Sequence, residues 1–325
     1  LARFATTESS PLAKRGTTNE EAYRFYLQGR SLMNQRSDED VKKAVEYFEK
    51  AIRLDSNFAR GYSSTALAYD FLGKIEKAKK YVKRALELDS NLAEAYAVRG
   101  KMDFSVEWNF DSSEKDLLRA IELEPNNDLA HWAYALLLSY RGRFDEAVRE
   151  IETALTIAPA TVMYSRDRAR ILYYARRYDE AIAQFKKAIE VDEKFGSVWG
   201  QLWMAYEMNG NGDEDYRTFI KWKEISKDEY LEDYKKTYAV GGWLGVKRKI
   251  LEFDKRAEHE PDTNFFAMAR GCATLGEKEQ AFEYLNKAFD KHQLQMVFLK
   301  VEPQLDSLRD DPRFDELVKR VGFEL

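Results

Sequence analysis

Small and apolar residues recur along this chain at a fixed interval. Ala44, Ala78, Ser113, Ala147 and Ala181 are separated by steps of 34, 35, 34 and 34. Ala51, Ala85, Ala120, Ala154 and Ala188 each follow seven residues later, with a larger apolar residue between: Phe48, Val82, Leu117, Ile151 and Phe185. Residues seven apart share one face of an α-helix, two turns apart. Each segment therefore predicts a helix whose small-residue stripe lets a neighbour approach closely. The stretch before it carries matching aromatic and small residues, as in Tyr62, Ala66 and Tyr69, or Tyr96 and Gly100, and predicts a partner helix. Turn residues close the units: Asp55-Ser-Asn57, Asp89-Ser-Asn91, Glu124-Pro-Asn126 and Ala158-Pro159. The pattern is that of antiparallel helix pairs, each too thin to bury its stripe alone and stacked on the next.

These residues resemble tetratricopeptide repeats. The resemblance implies an all-α fold, a right-handed α-solenoid (superhelix) of stacked antiparallel helix pairs, with about eight units, some degenerate. The register places repeats at 22–58, 59–92, 93–127, 128–161, 162–195 and 196–227. The first holds an insertion at Ser37-Asp-Glu-Asp40, whose Ser37 reads as an N-cap; the third holds one at Trp108-Asn-Phe110. The pattern decays in the sixth repeat, where Asp215 and Trp222 replace small residues. The chain divides into an N-terminal extension (1–19), six repeats (20–227), a degenerate helix pair (228–261) turning at Gly241-Gly-Trp-Leu-Gly245, a further repeat (262–295) with Ala281 and Ala288, and a capping segment (296–325). The ends carry a narrower resemblance. Leu12-Ala-Lys-Arg-Gly-Thr-Thr-Asn19, with Glu21-Ala-Tyr23 and Gly29-Arg30, looks like the entry to the C-terminal repeat region of bacterial multidomain signalling proteins. In that family a winged-helix, adenylate cyclase or Ser/Thr kinase domain precedes the repeats. Leu299-Lys-Val-Glu-Pro303 and Leu305-Asp-Ser-Leu-Arg-Asp-Asp-Pro-Arg-Phe314 look like its closing segment.

Composition narrows the chemistry. Hydrophobic residues make up 44%, enough to build a core. Fifty-two basic against 57 acidic residues leave a net charge of −5, which disfavours a grip on phosphate backbones. No run of 18 uncharged apolar residues predicts a membrane span. The single cysteine, Cys272, rules out a disulfide within the chain. The start at Leu1 reads as a piece of something longer, with a cytoplasmic setting favoured unless an upstream anchor places it outside. His131, His259 and His292 are scattered without metal-ligand spacing. The glycine run at 241–245 lacks the phosphate-loop spacing, and Asn209-Gly-Asn-Gly-Asp-Glu-Asp215 lacks the glycine that a calcium loop needs at its sixth place. The expectation is a non-enzyme with no cofactor and no metal.

A stacked array presents the first helix of each pair on its concave side. The resemblance places ligand contacts there. Carried over by register, the peptide-binding residues are Lys101, Phe104, Trp132, Tyr140, Arg166, Arg170, Tyr173, Tyr174, Met204 and Glu207, with Asn34 among the first repeat's contributions. Arg166 and Arg170, four apart, share a face and suit a carboxylate; Arg, Tyr and Trp are the types that anchor interfaces. Arg166 has Asp167 and Glu190 as alternative partners, and some of these aromatics would pack between repeats. The chaperone-type carboxylate clamp is absent, since Ser63, Ala97 and Trp132 stand where it needs Lys or Asn. The sequence thus favours a monomeric scaffold for a protein or peptide, with an acidic or C-terminal carboxylate group, binding no nucleic acid and inserting in no membrane. The alternative is a small-molecule sensor with its pocket in the degenerate part, where Trp199, Trp203, Trp222 and Trp243 crowd.

Overall fold

The structure, a computed structural model, describes residues 15–35, 38–191, 193, 196–261 and 263–324, without the side chains of 34, 35, 38 and 191. The expected N-cap at Ser37 and the side chain of Asn34 lie outside the described residues. Among those described, the chain is all α: sixteen α-helices, two 3-10 helices and no strand. It is an α-solenoid of about eight helix pairs. Two compact units divide it, Leu1–Asp103 with Asp111–Tyr134, and Phe104–Phe110 with Ala135–Leu325.

The first unit is built from α1 (Glu20–Gln35), α2 (Asp38–Leu54), α3 (Ala59–Phe71), α4 (Ile75–Leu88), most of α5 (Ala93–Ser105), α6 (Phe110–Leu123) and the start of α7 (Asp128–Tyr140). Its two kinds of helix bury differently. In α4 Ala78, Val82 and Ala85 are the buried stripe, while α3 buries ten residues, Ser63, Ser64, Thr65 and Asp70 among them. A second helix has one side in water. A first helix is enclosed by its partner and by the neighbouring pairs, so it is apolar or small nearly all round. The small residues sit where two helices touch: Ala44, Ala51, Ala78, Ala85, Ser113 and Ala120 are all 0% exposed. Gly29 permits the closest approach, since a Cβ there would stand 2.5 Å from the Phe48 ring. The inter-repeat turns repeat as well: the Asn57 amide donates to Asp55 Oδ1 and the Asn91 amide to Asp89 Oδ1, both at 3.0 Å.

The second unit holds α8 (Phe144–Ile157), α9 (Val162–Tyr174), α10 (Tyr178–Val191), α11 (Gly196–Met208), α12 (Gly212–Ile225), α13 (Leu231–Arg256), α14 (Phe265–Thr274) and α15 (Lys278–Asp290). Two 3-10 helices, Leu294–Phe298 and Pro303–Leu308, lead to α16 (Pro312–Val321). α13 is broken at Gly242 (φ 59°, ψ −163°), and its halves fold back on each other so that Tyr230 stacks on Phe253 at 4.0 Å. Around this hairpin lies an aromatic core of Phe219, Tyr234, Val246 and Phe253. α16 starts on Pro312, with the Arg313 amide donating to the Asp311 carboxylate at 3.0 Å, and ends on left-handed Gly322.

A left-handed residue recurs inside the helix pairs. It is glycine at Gly73, Gly142, Gly210 and Gly276, but Trp108 (φ 55°) and Arg176 (φ 60°) take the same place in two repeats. Side chains other than glycine and asparagine pay roughly 1–2 kcal/mol for that conformation. Both exceptions use their length. Trp108 stacks on His292 at 3.7 Å and packs on Phe289. Arg176 donates to the Val301 carbonyl at 2.8 Å and pairs with Asp306 at 2.5 Å. Both therefore hold the chain that follows α15.

Candidate functional site

The first-helix residues singled out by the register fall on both units. On the first, Lys101 reaches Asp70 at 2.5 Å, an ion pair that is largely buried, and lies over the Phe71 ring. Trp132 is 2% exposed, with its ring 6.4 Å from that of Phe71. Beside them Glu94 accepts from Ser64 at 2.6 Å and stands 3.8 Å from Arg30.

On the second unit, the structure brings most of the remaining residues together. Phe104 meets Tyr140 edge to face at 5.6 Å. The carboxylate facing Arg166 and Arg170 is their own neighbour: Asp167, fully buried, accepts from Arg166 at 2.9 Å and lies 3.4 Å from Arg170. Arg170 also donates to the Tyr140 hydroxyl at 3.1 Å. Tyr140, Tyr173 and Tyr174 are buried, and the first 3-10 helix covers them. Phe298 stands 5.2 Å from Tyr140 and 5.7 Å from Tyr174, with the Arg170 guanidinium 5.6 Å from its ring centre. Four residues on, Glu302 is 1% exposed; its carboxylate accepts from the Tyr173 hydroxyl at 2.7 Å and lies 3.7 Å from Arg270. Burial, and then the Glu302 charge, hold the Tyr173 phenol well above its usual range, so it stays a donor. Met204 touches Arg270 through its sulfur, and Glu207 pairs with Lys247 at 2.6 Å and accepts from Gln304. The first-helix face from α9 to α14 is thus covered by the chain's own residues 294–308.

Openings remain on that face. One, of about 140 Å³, lies between α9, α11, α14 and the first 3-10 helix, with Arg170, Arg270, Tyr174, Met204, Phe266 and Phe298 in its wall. Another, of about 170 Å³, opens among Trp203, Trp222, Phe219 and Lys247, beyond Arg270. Lys223 lies across this second wall, 4.7 Å from the Trp222 ring, and pairs with Asp228 at 2.6 Å. Nearby Asp215 is buried. Burial and the Glu207 charge push it up to about 7, against the pull of Lys247 and the indoles of Trp243 and Trp203. Arg270, Glu302, Phe298 and Lys247 escaped the sequence reading. Lys247 lies where the 34-residue register fails, and Phe298 and Glu302 lie in or beside 3-10 turns, which have no period of their own; Arg270 lies in the first helix of the repeat at 262–295, whose ligand positions were not carried over. The Leu299–Pro303 string was visible only as a closing segment, without its target.

Other chemistry is scarce. Cys272 is fully buried and burial pushes its thiol up to about 11, leaving almost no thiolate. Among the described residues no three His, Cys, Asp or Glu side chains are grouped to hold a metal ion, and no helix is long and apolar enough to cross a membrane.

Comparison with known proteins agrees with the repeat fold. Family models of the tetratricopeptide repeat match residues 32–58 and 59–92, and 109–161 and 135–194. No curated protein sequence matches the chain. Solved structures share the fold. The type IV pilus biogenesis factor PilW is 18% identical with a TM-score of 0.51, covering 66% of this chain and 98% of its own. A monomeric mutant of IFIT1 with Gppp-AAAA is 17% identical with a TM-score of 0.52, covering 83% of this chain and 63% of its own.

Proposed function

We propose that this tetratricopeptide-repeat chain is a non-catalytic scaffold for protein or peptide, the sensor or docking module of a larger bacterial regulator. The observation that carries the reading is the segment 294–308 lying on the first-helix face of the second unit. The side chains there recognise two features four residues apart, an aromatic ring and a carboxylate. Phe298 is held among Tyr140, Tyr174 and Arg170, and Glu302 between Tyr173 and Arg270. An external partner bearing the same pair would use the same contacts, Arg166 acting through Asp167 and Met204 and Glu207 flanking. Lys101 and Trp132 belong to the corresponding face of the first unit. The terminal helix α16, closing on α15 through Arg313–Glu279 at 2.8 Å, covers the last pair, which supports a monomer.

The test uses the full chain carrying Phe298→Ala and Glu302→Ala, which loosens its own segment. A fluorescent peptide of residues 294–308 should then bind in trans, and should not bind the wild-type chain. The same peptide lacking the phenyl ring and the carboxylate should bind neither. A folded double variant that ignores the intact peptide would remove this face from the reading. Sedimentation at micromolar concentration should give one 38.0 kDa species.

A further inference from the structure

The opening of about 140 Å³ beside Phe298 is left free even with the chain's own segment in place. Its wall combines aromatic rings, Phe266, Phe298 and Tyr174, with two cations, Arg170 and Arg270, which lie 5.6 Å from the Phe298 ring and 5.8 Å from the Phe266 ring. Both guanidiniums are mostly buried, their side chains 18% and 21% exposed. Each has a carboxylate only at the long end of ion-pair distance. Arg170 stands 3.4 Å from Asp167, whose same oxygen already accepts two bonds from Arg166. Arg270 stands 3.7 Å from Glu302, whose other oxygen is taken by Tyr173, and its Nη1 rests against the Met204 thioether at 3.3 Å. Charge-assisted bonds from guanidinium to carboxylate run about 2.7–2.9 Å. The Nε atoms of Arg170 and Arg270, and Gln201 Oε1, have no hydrogen-bond partner among the described residues. Groups this enclosed are costly to leave unsatisfied, and more so when charged. A carboxylate in the opening would give the two guanidiniums the short charge-assisted partner that neither has.

We propose that this opening is a binding site for a small organic monoanion, a carboxylate on an apolar body about the size of a phenyl ring. The size follows from the volume, since a cavity of about 150 Å³ accepts benzene. The charge follows from the two guanidiniums, and the apolar body from the aromatic lining, where a ring packs against Phe266 and Phe298. This site is separate from displacement of residues 294–308 and does not depend on it; Phe298 and Glu302 stay in place as part of its wall, Glu302 bonded to Tyr173.

Phenylacetate is the probe, with phenylacetamide as its uncharged isostere and acetate as the anion without a body. Calorimetric titration of the full chain should show phenylacetate binding at least about tenfold tighter than either control, together with a raised melting temperature. Arg270→Gln should abolish that preference. Met204→Trp, which fills the opening and leaves both arginines, should abolish binding of phenylacetate altogether, and it decides the matter if the Arg270 variant fails to fold. Equal binding of acid and amide, no binding of phenylacetate at millimolar concentration, or unchanged binding to the folded Met204→Trp variant would each overturn the proposal.

Discussion

Arg176 is a residue in the wrong conformation for its type, held there by what its side chain reaches. Its φ of 60° occupies the place that Gly73, Gly142 and Gly210 fill in other repeats. The strain is offset by bonds to Val301 and Asp306. Arg176→Asn separates the two effects, because asparagine tolerates the left-handed region but cannot span the distance. It should cost about 1–3 kcal/mol and speed amide exchange in 299–306, leaving the start of α10 protected. Asp215 gives a second prediction. Its folded pKa of about 7 lies above the ordinary 3.8. The folded chain therefore keeps a proton that the unfolded chain releases, and this group's contribution to stability falls as pH rises from about 4 to about 7. Asp215→Asn should flatten that slope. Urea titrations should show the variant about 1–3 kcal/mol more stable than wild type near pH 8 and no more stable near pH 4.

The helices divide into those the sequence reveals by period and those it reveals by composition. α4, α8 and similar second helices bury a narrow stripe, so their small and large apolar residues stand out at a spacing of seven. α3 is buried nearly all round, polar Ser63, Ser64 and Thr65 included, so no single stripe stands out in its sequence. The aromatic first-helix positions were legible, because register places Tyr140, Arg170 and Tyr173 on one face. What covers them was not, because Tyr173 and Glu302 are 129 residues apart and no local pattern links them. The hairpin of α13 offers a test at this scale. Gly242 sits at φ 59°, ψ −163° while Gly241 is helical, and an added Cβ meets nothing within 4 Å at either. Gly242→Ala should then destabilise by about 1–3 kcal/mol from backbone strain alone. Gly241→Ala, one residue away, should stabilise by about 0.5–1 kcal/mol. Thermal unfolding of the two variants should shift in opposite directions.

At the scale of the molecule, local stacking builds most of the solenoid, and one long-range return completes the second unit. Leu299, Leu305 and Leu308 are almost wholly buried in that return. Leu305→Ala should cost about 2–4 kcal/mol, and the loss should appear as faster amide exchange in α9 and α14 with α3 and α4 unchanged. Contacts between near neighbours in sequence form quickly, whereas a contact closing 129 residues waits for a long loop. In the cell the wait begins on the ribosome. At about 5–20 residues per second, roughly 6–26 s pass between synthesis of Tyr173 and of Glu302. Throughout that interval Tyr140, Tyr173 and Tyr174 are present without the segment that covers them. The nascent chain therefore displays a sticky aromatic strip before it is complete, and its yield in cells should depend on chaperones that shield such strips during translation.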